Sequence, residues 1–310
     1  MKTHLIYHRK DADGILSAAL VCHALNLTQR NSTLYGVDHP EPCPLLFYGF
    51  NPPCRHEDHF AKEDTVIIVD FSYSQAEIQA LLDGFAQIQI FDHHQTALEE
   101  LATISQPNWV LDTSRAACQI VWDDLCDSGA IRPWWLDLIG WRDLGGPWQP
   151  KADPDKTRDA NTMNTALFTF APLDPYQLAQ HVPADTAWQT WFDNGESLCR
   201  ANQAAAQAIA GAVPLTMAHF PDAVGTLKLP IVFNVHPALT SDVCHHLMQI
   251  HNWPAACVCN RSSEAPYSFT FSFRSCPSGP DVSALAKRHG GGGHPQAAGC
   301  TLPSLPPLSH

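Results

Sequence analysis

The stretch HLIYHRKDADGIL, residues 4–16, decides the fold. A short apolar run ends in His8, two acids follow at Asp11 and Asp13, and Gly14 opens an apolar segment that continues to Leu25. That order reads as a buried strand, a turn carrying polar groups, and a helix. The same unit recurs downstream. TVIIVD runs into Asp70, and QIQIFDHH runs into Asp92, His93 and His94. The spacing predicts strands over 3–7, 33–37, 65–69, 87–91 and 108–111, with helices over 14–25, 74–85 and 114–125 between them. β-branched apolar runs alternating with helices indicate a parallel sheet covered on both faces.

In an open parallel sheet the carboxyl ends of the strands form the ligand crevice. Acids and imidazoles leaving three such ends therefore converge on one edge. A single Asp after a strand is ordinarily a helix N-cap, and a single His in a loop is ordinarily a surface or core residue. Their joint occurrence at three strand ends is hard to obtain by capping alone. That many carboxylates at one edge calls for counter-charge. A mixed Asp/His set suits Mn²⁺ or a similar ion better than Mg²⁺ or structural Zn²⁺. Asp70, alone on its strand end, is the natural bridge between two ions. A further acid, Asp143, lies in GWRDLG after the apolar segment 134–139.

Beyond this half, residues 145–161 are rich in Pro, Gly and Asp and read as an irregular connection. The Ala-rich stretch 184–212 predicts a long helix joining a second domain. There, strands are expected over 215–219, 231–235, 255–259 and 267–273, and helices over 239–250 and 282–288. Then comes GGGGHPQAAG, residues 290–299. Its glycines allow close backbone approach to a ligand and an anion nest, with His294 expected at the start of a short helix.

HRKDADG, IIVDFS, FDHH and GWRDLG, in this order, resemble the DHH phosphoesterase superfamily, and GGGGHPQAAG resembles the glycine-rich motif of its DHH-associated C-terminal domain. The likeness implies an α/β protein. A parallel-sheet DHH domain with a dimetal site spans residues 1–183, a linker helix 184–212, and a smaller substrate-binding α/β domain with a mixed sheet 213–302; a loose tail spans 303–310. It further implies that His8, Asp11 and Asp70 hold one metal, and that Asp13, Asp70, His93 and Asp143 hold the other. His94 would face the substrate phosphate and protonate the leaving oxygen, while Asp92 orients a neighbouring His. Arg274, Ser275, Gly291, Gly292, Gly293 and His294 would grip the substrate. Arg115, at a helix start, is read from the residues as a further phosphate contact, with a helix-surface Arg as the alternative. His8 and Asp11 are three apart, where several branches of the family have two or four. Members of the family include single-strand exonucleases, nano-RNases, cyclic dinucleotide phosphodiesterases, exopolyphosphatases and family II pyrophosphatases; the glycine motif argues against the last.

Composition narrows the substrate. The 310 residues carry 18 Lys plus Arg against 31 Asp plus Glu, a net charge of −13. A protein gripping long nucleic acid needs a basic face, so long single strands are disfavoured. A short oligonucleotide or small phosphorylated nucleotide, such as a 3′-phosphorylated adenylate, is favoured. Trp134, Trp135, Trp141 and Trp148 are read mainly as helix packing, with base stacking as the alternative. The expected cofactors are two divalent ions, Mn²⁺ first, with Mg²⁺ or Co²⁺ as alternatives. An exopolyphosphatase shares the metals but wants a Lys/Arg-lined channel, of which the chain offers little. A non-catalytic nucleotide sensor on the same scaffold is the third reading.

The 11 cysteines are scattered and form no CxxC, which suits reduced core thiols. Cys54, His56 and His59 lack a matching second half and read as a surface loop. With no signal peptide and no apolar stretch of about 18 residues, a cytoplasmic protein without a membrane partner is expected, and homodimerisation is left open. Pro-rich loops near 40–53 and 147–154 are candidates to cap the cleft.

Overall fold

The computed structural model describes residues 1–309 except 39, 40, 48–60, 105, 127–130, 147, 148, 150, 223, 224 and 263–266. The Cys54, His56 and His59 cluster, Trp148 and part of each Pro-rich loop lie outside the described residues. The chain divides into two compact units, Met1–Pro147 with Pro154–Gly195, and Trp148–Asp153 with Glu196–His310.

The first unit begins with β1 (Thr3–His8), α1 (Ala12–Ala24), β2 (Ser32–Val37), α2 (Pro44–Phe47), β3 (Thr65–Val69) and α3 (Gln75–Gly84). It continues with β4 (Gln87–Asp92), α4 (Gln95–Leu101), β5 (Trp109–Leu111) and α5 (Ala117–Val121), which runs on as a π-helical turn over Trp122–Cys126. Then come α6 (Trp134–Asp143), α7 (Pro154–Phe170), α8 (Pro175–Leu178) and the first third of α9 (Asp185–Ala212). The five strands form one sheet in the order β2-β1-β3-β4-β5, and every neighbouring pair is parallel.

Neighbouring side chains alternate between the two faces, as a period of two requires. Leu5, Ile67 and Phe91 enter the core shared with α1, α5, α6 and the start of α9. Ile6, Ile68 and Ile90 enter the core beneath α3. Helix α1 is buried nearly all round, which explains its apolar sequence ADGILSAALVC. The Asp11 carboxylate caps it by accepting from the Gly14 amide at 2.8 Å. At Gly14 only a hydrogen fits, since a Cβ would lie 2.1 Å from the His8 carbonyl oxygen.

The second unit holds the remainder of α9, then β6 (Met217–Asp222), β7 (Gly225–Phe233), α10 (Thr240–His251), β8 (Ala255–Arg261), β9 (Phe269–Ser275), α11 (Val282–Arg288), β10 (Gly292–His294), β11 (Ala297–Leu302) and β12 (Leu308–Ser309). Its seven strands run in the order β10-β11-β9-β8-β7-β6-β12, with β7 and β8 parallel and the other pairs antiparallel. Cys257, Cys259, Phe271 and Phe273 pack on one face; Val232, Ala256 and Val258 pack on the other, against α10. The architecture is the expected α/β class, a parallel sheet followed by a mixed one.

Several expectations are corrected. Residues 154–161 are not irregular, because Pro154 starts a helix that runs to Phe170. Pro at a first helical position and Asp155 in the first turn are start signals, which a composition count mistakes for loop. The helix expected over 114–125 begins at Ala117, since Asp112, Ser114 and Arg115 form a hydrogen-bonded turn before it. His294 ends a strand rather than starting a helix, and β10 and β11 make a hairpin across Pro295 and Gln296. In the segment read as a loose tail, Leu308 and Ser309 pair with Ala218 and Met217. Among the described residues no helix is long and apolar enough to cross a membrane.

Candidate metal centre

The strand order reverses direction between β1 and β3, so the crevice of this sheet lies at the carboxyl ends of those strands. His8 is the last residue of β1, Asp70 follows β3 directly, and Asp92 is the last residue of β4. Asp13 belongs to the first turn of α1, and Asp143 is the last residue of α6.

Asp70 is 1% exposed and has a left-handed backbone, with φ of 51°. An L-residue adopts that conformation at a cost, and Asp tolerates it better than most. The turn is held by the Asp70 amide donating to the Phe91 carbonyl at 2.9 Å. It leaves the two carboxylate oxygens on different partners. Oδ1 lies 3.1 Å from His93 Nε2, and Oδ2 lies 3.6 Å from His8 Nδ1.

On the first side, His8 Nδ1 is 2.5 Å from Asp11 Oδ2. On the second, His93 Nε2 is also 3.4 Å from Asp13 Oδ2 and 3.1 Å from Asp143 Oδ2. Asp13 is fixed by the amino end of α5, where the amides of Ala117 and Cys118 donate to its two oxygens at 2.8 Å each. A helix amino end favours an anion there. Asp92 Oδ1 accepts from the His93 and His94 amides and lies 2.7 Å from His94 Nδ1, so it orients that ring.

Charge is not balanced at this edge. Burial, with the Asp11 and Asp13 charges added, holds the Asp70 carboxyl well above its ordinary range. Burial likewise pushes Asp143 up to about 7; His93 opposes the rise, and Asp13 and Asp11 reinforce it. Burial pulls the His8 and His93 imidazoles down. The nearby carboxylates outweigh it, Asp11 first and then Asp38 and Asp70 at His8, and Asp143, Asp70 and Asp13 at His93, and both rings stand well above their ordinary value. Bound protons therefore do the compensating that a cation would otherwise do.

The residues fit a divalent cation. Buried Asp70 Oδ2 and Asp143 Oδ2 accept no hydrogen bond. His8, Asp11 and Asp70 offer ligand atoms within 4.8 Å of one another, and so do Asp13, Asp70 and His93. The two sets share Asp70.

The remaining candidates have their own local partners. Arg115 pairs through Nε with Asp112 Oδ2 and through Nη1 with Asp123 Oδ2, each at 2.7 Å. In the second unit, Arg274 donates from Nε and Nη2 to Ser241 Oγ at 3.1 and 2.9 Å, and from Nη1 to the Phe273 carbonyl at 2.8 Å. Ser275 is buried, and its hydroxyl lies 3.3 Å from the Pro254 and Cys276 carbonyls. Gly291, Gly292, Gly293 and His294 line the β10 hairpin. Trp135 is wholly buried and stacks on Trp188 at 4.0 Å, so it is a packing residue, while Trp134 meets Phe192 edge-on and stays exposed. Trp141 is half-buried, with the Lys156 ammonium 4.9 Å from its ring centre.

One residue escaped the sequence reading. Asp38 follows β2, and its Oδ1 lies 3.4 Å from His8 Nε2. The rule applied to the ends of β1, β3 and β4 would have found it.

Residues 3–134 match the DHH family, N-terminal domain. No curated protein sequence matches the chain. Among solved structures, RecJ from Thermus thermophilus in complex with Mn²⁺ superposes with a TM-score of 0.51 at 16% identity, over 97% of this chain and 49% of that one. CDC45 from Entamoeba histolytica gives 0.51 at 9% identity, over 97% and 92%. The pGpG-specific phosphodiesterase PggH from Vibrio cholerae gives 0.48 at 16%, over 97% and 93%. The family match covers the strand ends that bear His8, Asp70 and the Asp92-His93-His94 triplet, so residues 3–134 are similar to the N-terminal domain of the DHH family.

Proposed function

We propose that this protein is a dimetal-dependent phosphoesterase that hydrolyses short oligonucleotides or small phosphorylated nucleotides. One observation carries the reading: two acid–imidazole sets, His8/Asp11/Asp70 and Asp13/Asp70/His93, share the carboxylate of Asp70. Asp143 completes the second set through its 3.1 Å approach to His93. Mn²⁺ is the ion best matched to mixed carboxylate and imidazole donors. A divalent pair held by such sets would polarise the phosphoryl group and lower the pKa of the attacking water.

The chain's own groups supply the rest. Asp70 presents one oxygen to each set, which its left-handed turn makes possible. Asp13 is immobilised by two amides, so its position does not depend on a ligand. His94 is held at Nδ1 by Asp92. Burial lowers its pKa, but the Asp92 charge and hydrogen bond raise it further, and the net shift is upward. An imidazole shifted toward its protonated form is suited to deliver a proton to the departing oxygen. Gly291, Gly292, Gly293, His294 and Arg274 are assigned to substrate recognition. The net charge of −13 supports a ligand with few phosphates over a long polyanion.

The test is Mn²⁺-dependent release of mononucleotide from RNA of graded length, dinucleotides upward, with 3′-phosphoadenylate and polyphosphate alongside. Fast turnover confined to the shortest RNA or to the adenylate is expected. Turnover of polyphosphate alone would replace the substrate class. Metal binding without turnover of anything would make the protein a sensor.

A further inference from the structure

We propose that Asp38 is a positioning residue for His8, holding the imidazole by Nε2 so that Nδ1 is presented to the acid set. The inference rests on the metal-centre reading above. It concerns a residue outside both ligand sets.

The two nitrogens of His8 face different partners. Nδ1 lies 2.5 Å from Asp11 Oδ2 and 3.6 Å from Asp70 Oδ2. Nε2 lies 3.4 Å from Asp38 Oδ1. A metal-binding imidazole commonly donates its second N–H to a carboxylate, which fixes the tautomer and the ring plane and raises ligand basicity. Asp38 occupies that place for His8.

The backbone brings it there. In the parallel register His8 stands opposite Val37, and the Arg9 amide donates to the Val37 carbonyl at 3.1 Å. Asp38 therefore leaves β2 level with the turn that leaves β1. Arg9 fastens this segment by donating to the Gly36 carbonyl at 2.8 Å and to Glu41 Oε2 at 3.1 Å.

This is more than a surface ion pair. The side chains of His8 and Asp38 are only 18% and 17% exposed, and a carboxylate so enclosed needs compensation. The two oxygens divide the work: Oδ1 faces His8, and Oδ2 pairs with the Lys10 ammonium. Lys10, 63% exposed, offsets the carboxylate charge, so Asp38 does not add to the excess negative charge of the ligand sets.

The consequence is selective. Without the Asp38 carboxylate, the His8 ring loses the partner on its far side. Affinity should then fall at the set containing His8 and Asp11. The set containing Asp13, His93 and Asp143 should be spared.

The experiment titrates Mn²⁺ into the metal-free full-length protein, with no substrate present, by calorimetry and by Mn²⁺ paramagnetic resonance. Wild type is compared with Asp38→Asn and Asp38→Ala. Wild type should bind two ions. In Asp38→Ala one of the two should weaken about 10–100-fold while the other is kept, the magnitude typical of removing such an orienting partner. Asp38→Asn should lose less, because its amide oxygen still accepts from Nε2. The retained ion is the control for folding, and saturating Mn²⁺ should restore turnover. Wild-type affinity in both variants would overturn the positioning role and leave the metal centre standing. Complete loss of one ion from both variants would make Asp38 a ligand and also overturn it. Failure of wild type to bind Mn²⁺ would remove the metal centre itself, and this inference with it.

Discussion

At the carboxyl edge of the five-stranded sheet, recognition is built from side chains: Asp11, Asp13, Asp70, Asp92 and Asp143 crowd around His8, His93 and His94. At the outer edge of the seven-stranded sheet, residues 290–293 carry no side chain at all. What matters there is how closely two backbones approach. The first region depends on charge, so an isosteric replacement that removes charge should disable it. The second depends on space, so one added methyl group should destabilise it at one glycine and be harmless at its neighbour.

The largest expected effect is at Asp70. Asp70→Asn keeps the shape and the tolerance of a left-handed backbone, but it cannot serve two cations as a carboxylate does. Turnover should fall on the order of 10³-fold or more, the scale of losing metal-centred stabilisation. The metal-free variant should melt no lower than wild type, because a buried charge repelled by Asp11 and Asp13 is gone. Turnover within tenfold of wild type at saturating Mn²⁺ would break the assignment of Asp70 as the shared ligand.

The pH response of the metal-free protein sharpens the same point. A carboxyl whose folded pKa exceeds its unfolded one, near 3.9, adds stability that is complete below the unfolded value. That stability is lost as pH rises through the folded value. For Asp143 the window runs from about 4 to about 7, and Asp70, His8 and His93, all raised, act in the same direction at their own pKa values. Asp11, Asp38 and Asp92 are held low and contribute only as pH falls below about 4. Each proton stripped costs about 1.4 kcal/mol per pH unit, and each kcal/mol moves Tm by about 2–4 °C in domains of this size. The metal-free Tm should therefore fall from pH 5 to pH 8. Added Mn²⁺ should reverse the slope, because ions bind the deprotonated set. A metal-free melting profile that is flat over this range would contradict the charge imbalance.

How far the sequence reveals these two regions differs for the same reason. Strand β3 matches its expected bounds, because Thr-Val-Ile-Ile-Val has no other stable reading between a polar start and Asp70. The convergence of His8, Asp70 and His93 follows from parallel topology alone. The left-handed turn at Asp70 does not, since nothing in a residue's identity fixes its φ. Asp38 went unnoticed because one acid after one strand looks like a cap. Asp112, at the end of β5, shows that this reading is sometimes right: it accepts from the Ser114 amide and hydroxyl and pairs with Arg115. The glycine run was legible by composition as a place of close backbone approach. Its strand geometry was not, because glycine carries no β-propensity and only pairing with Ala297–Gly299 makes it a strand.

The hairpin itself can be probed one glycine at a time. A Cβ on Gly291 would lie 2.0 Å from the Gly299 carbonyl oxygen and 2.8 Å from Cys300 Cα. Gly291→Ala must push β10 off β11 and should cost about 1–3 kcal/mol, the usual range for overpacking. A Cβ on Gly292 would meet nothing within 4 Å. Gly292→Ala should leave stability within about 0.5 kcal/mol. If Gly292 is a recognition residue, its KM should rise at unchanged Tm. Equal destabilisation by both variants would break the distinction between close approach and open space.

The smallest expected effect is at Arg115, where charge and space meet. Its guanidinium holds Asp112 on one side and Asp123 on the other, and Arg132 pairs with that same Asp123. The network ties the turn after β5 to the π-helical turn beyond α5. Between them lie the Ala117 and Cys118 amides that hold Asp13. An Arg so committed has two salt bridges to break before it can meet a phosphate. Partly exposed pairs of this kind contribute about 1 kcal/mol or less. Arg115→Gln should therefore lower stability by about that amount and change kcat/KM by no more than about threefold, a barrier change below about 1 kcal/mol. A loss of about 100-fold in kcat/KM at unchanged Tm would show instead that Arg115 leaves its acids to bind the substrate, and the boundary between the charged edge and its scaffold would have to be redrawn to include it.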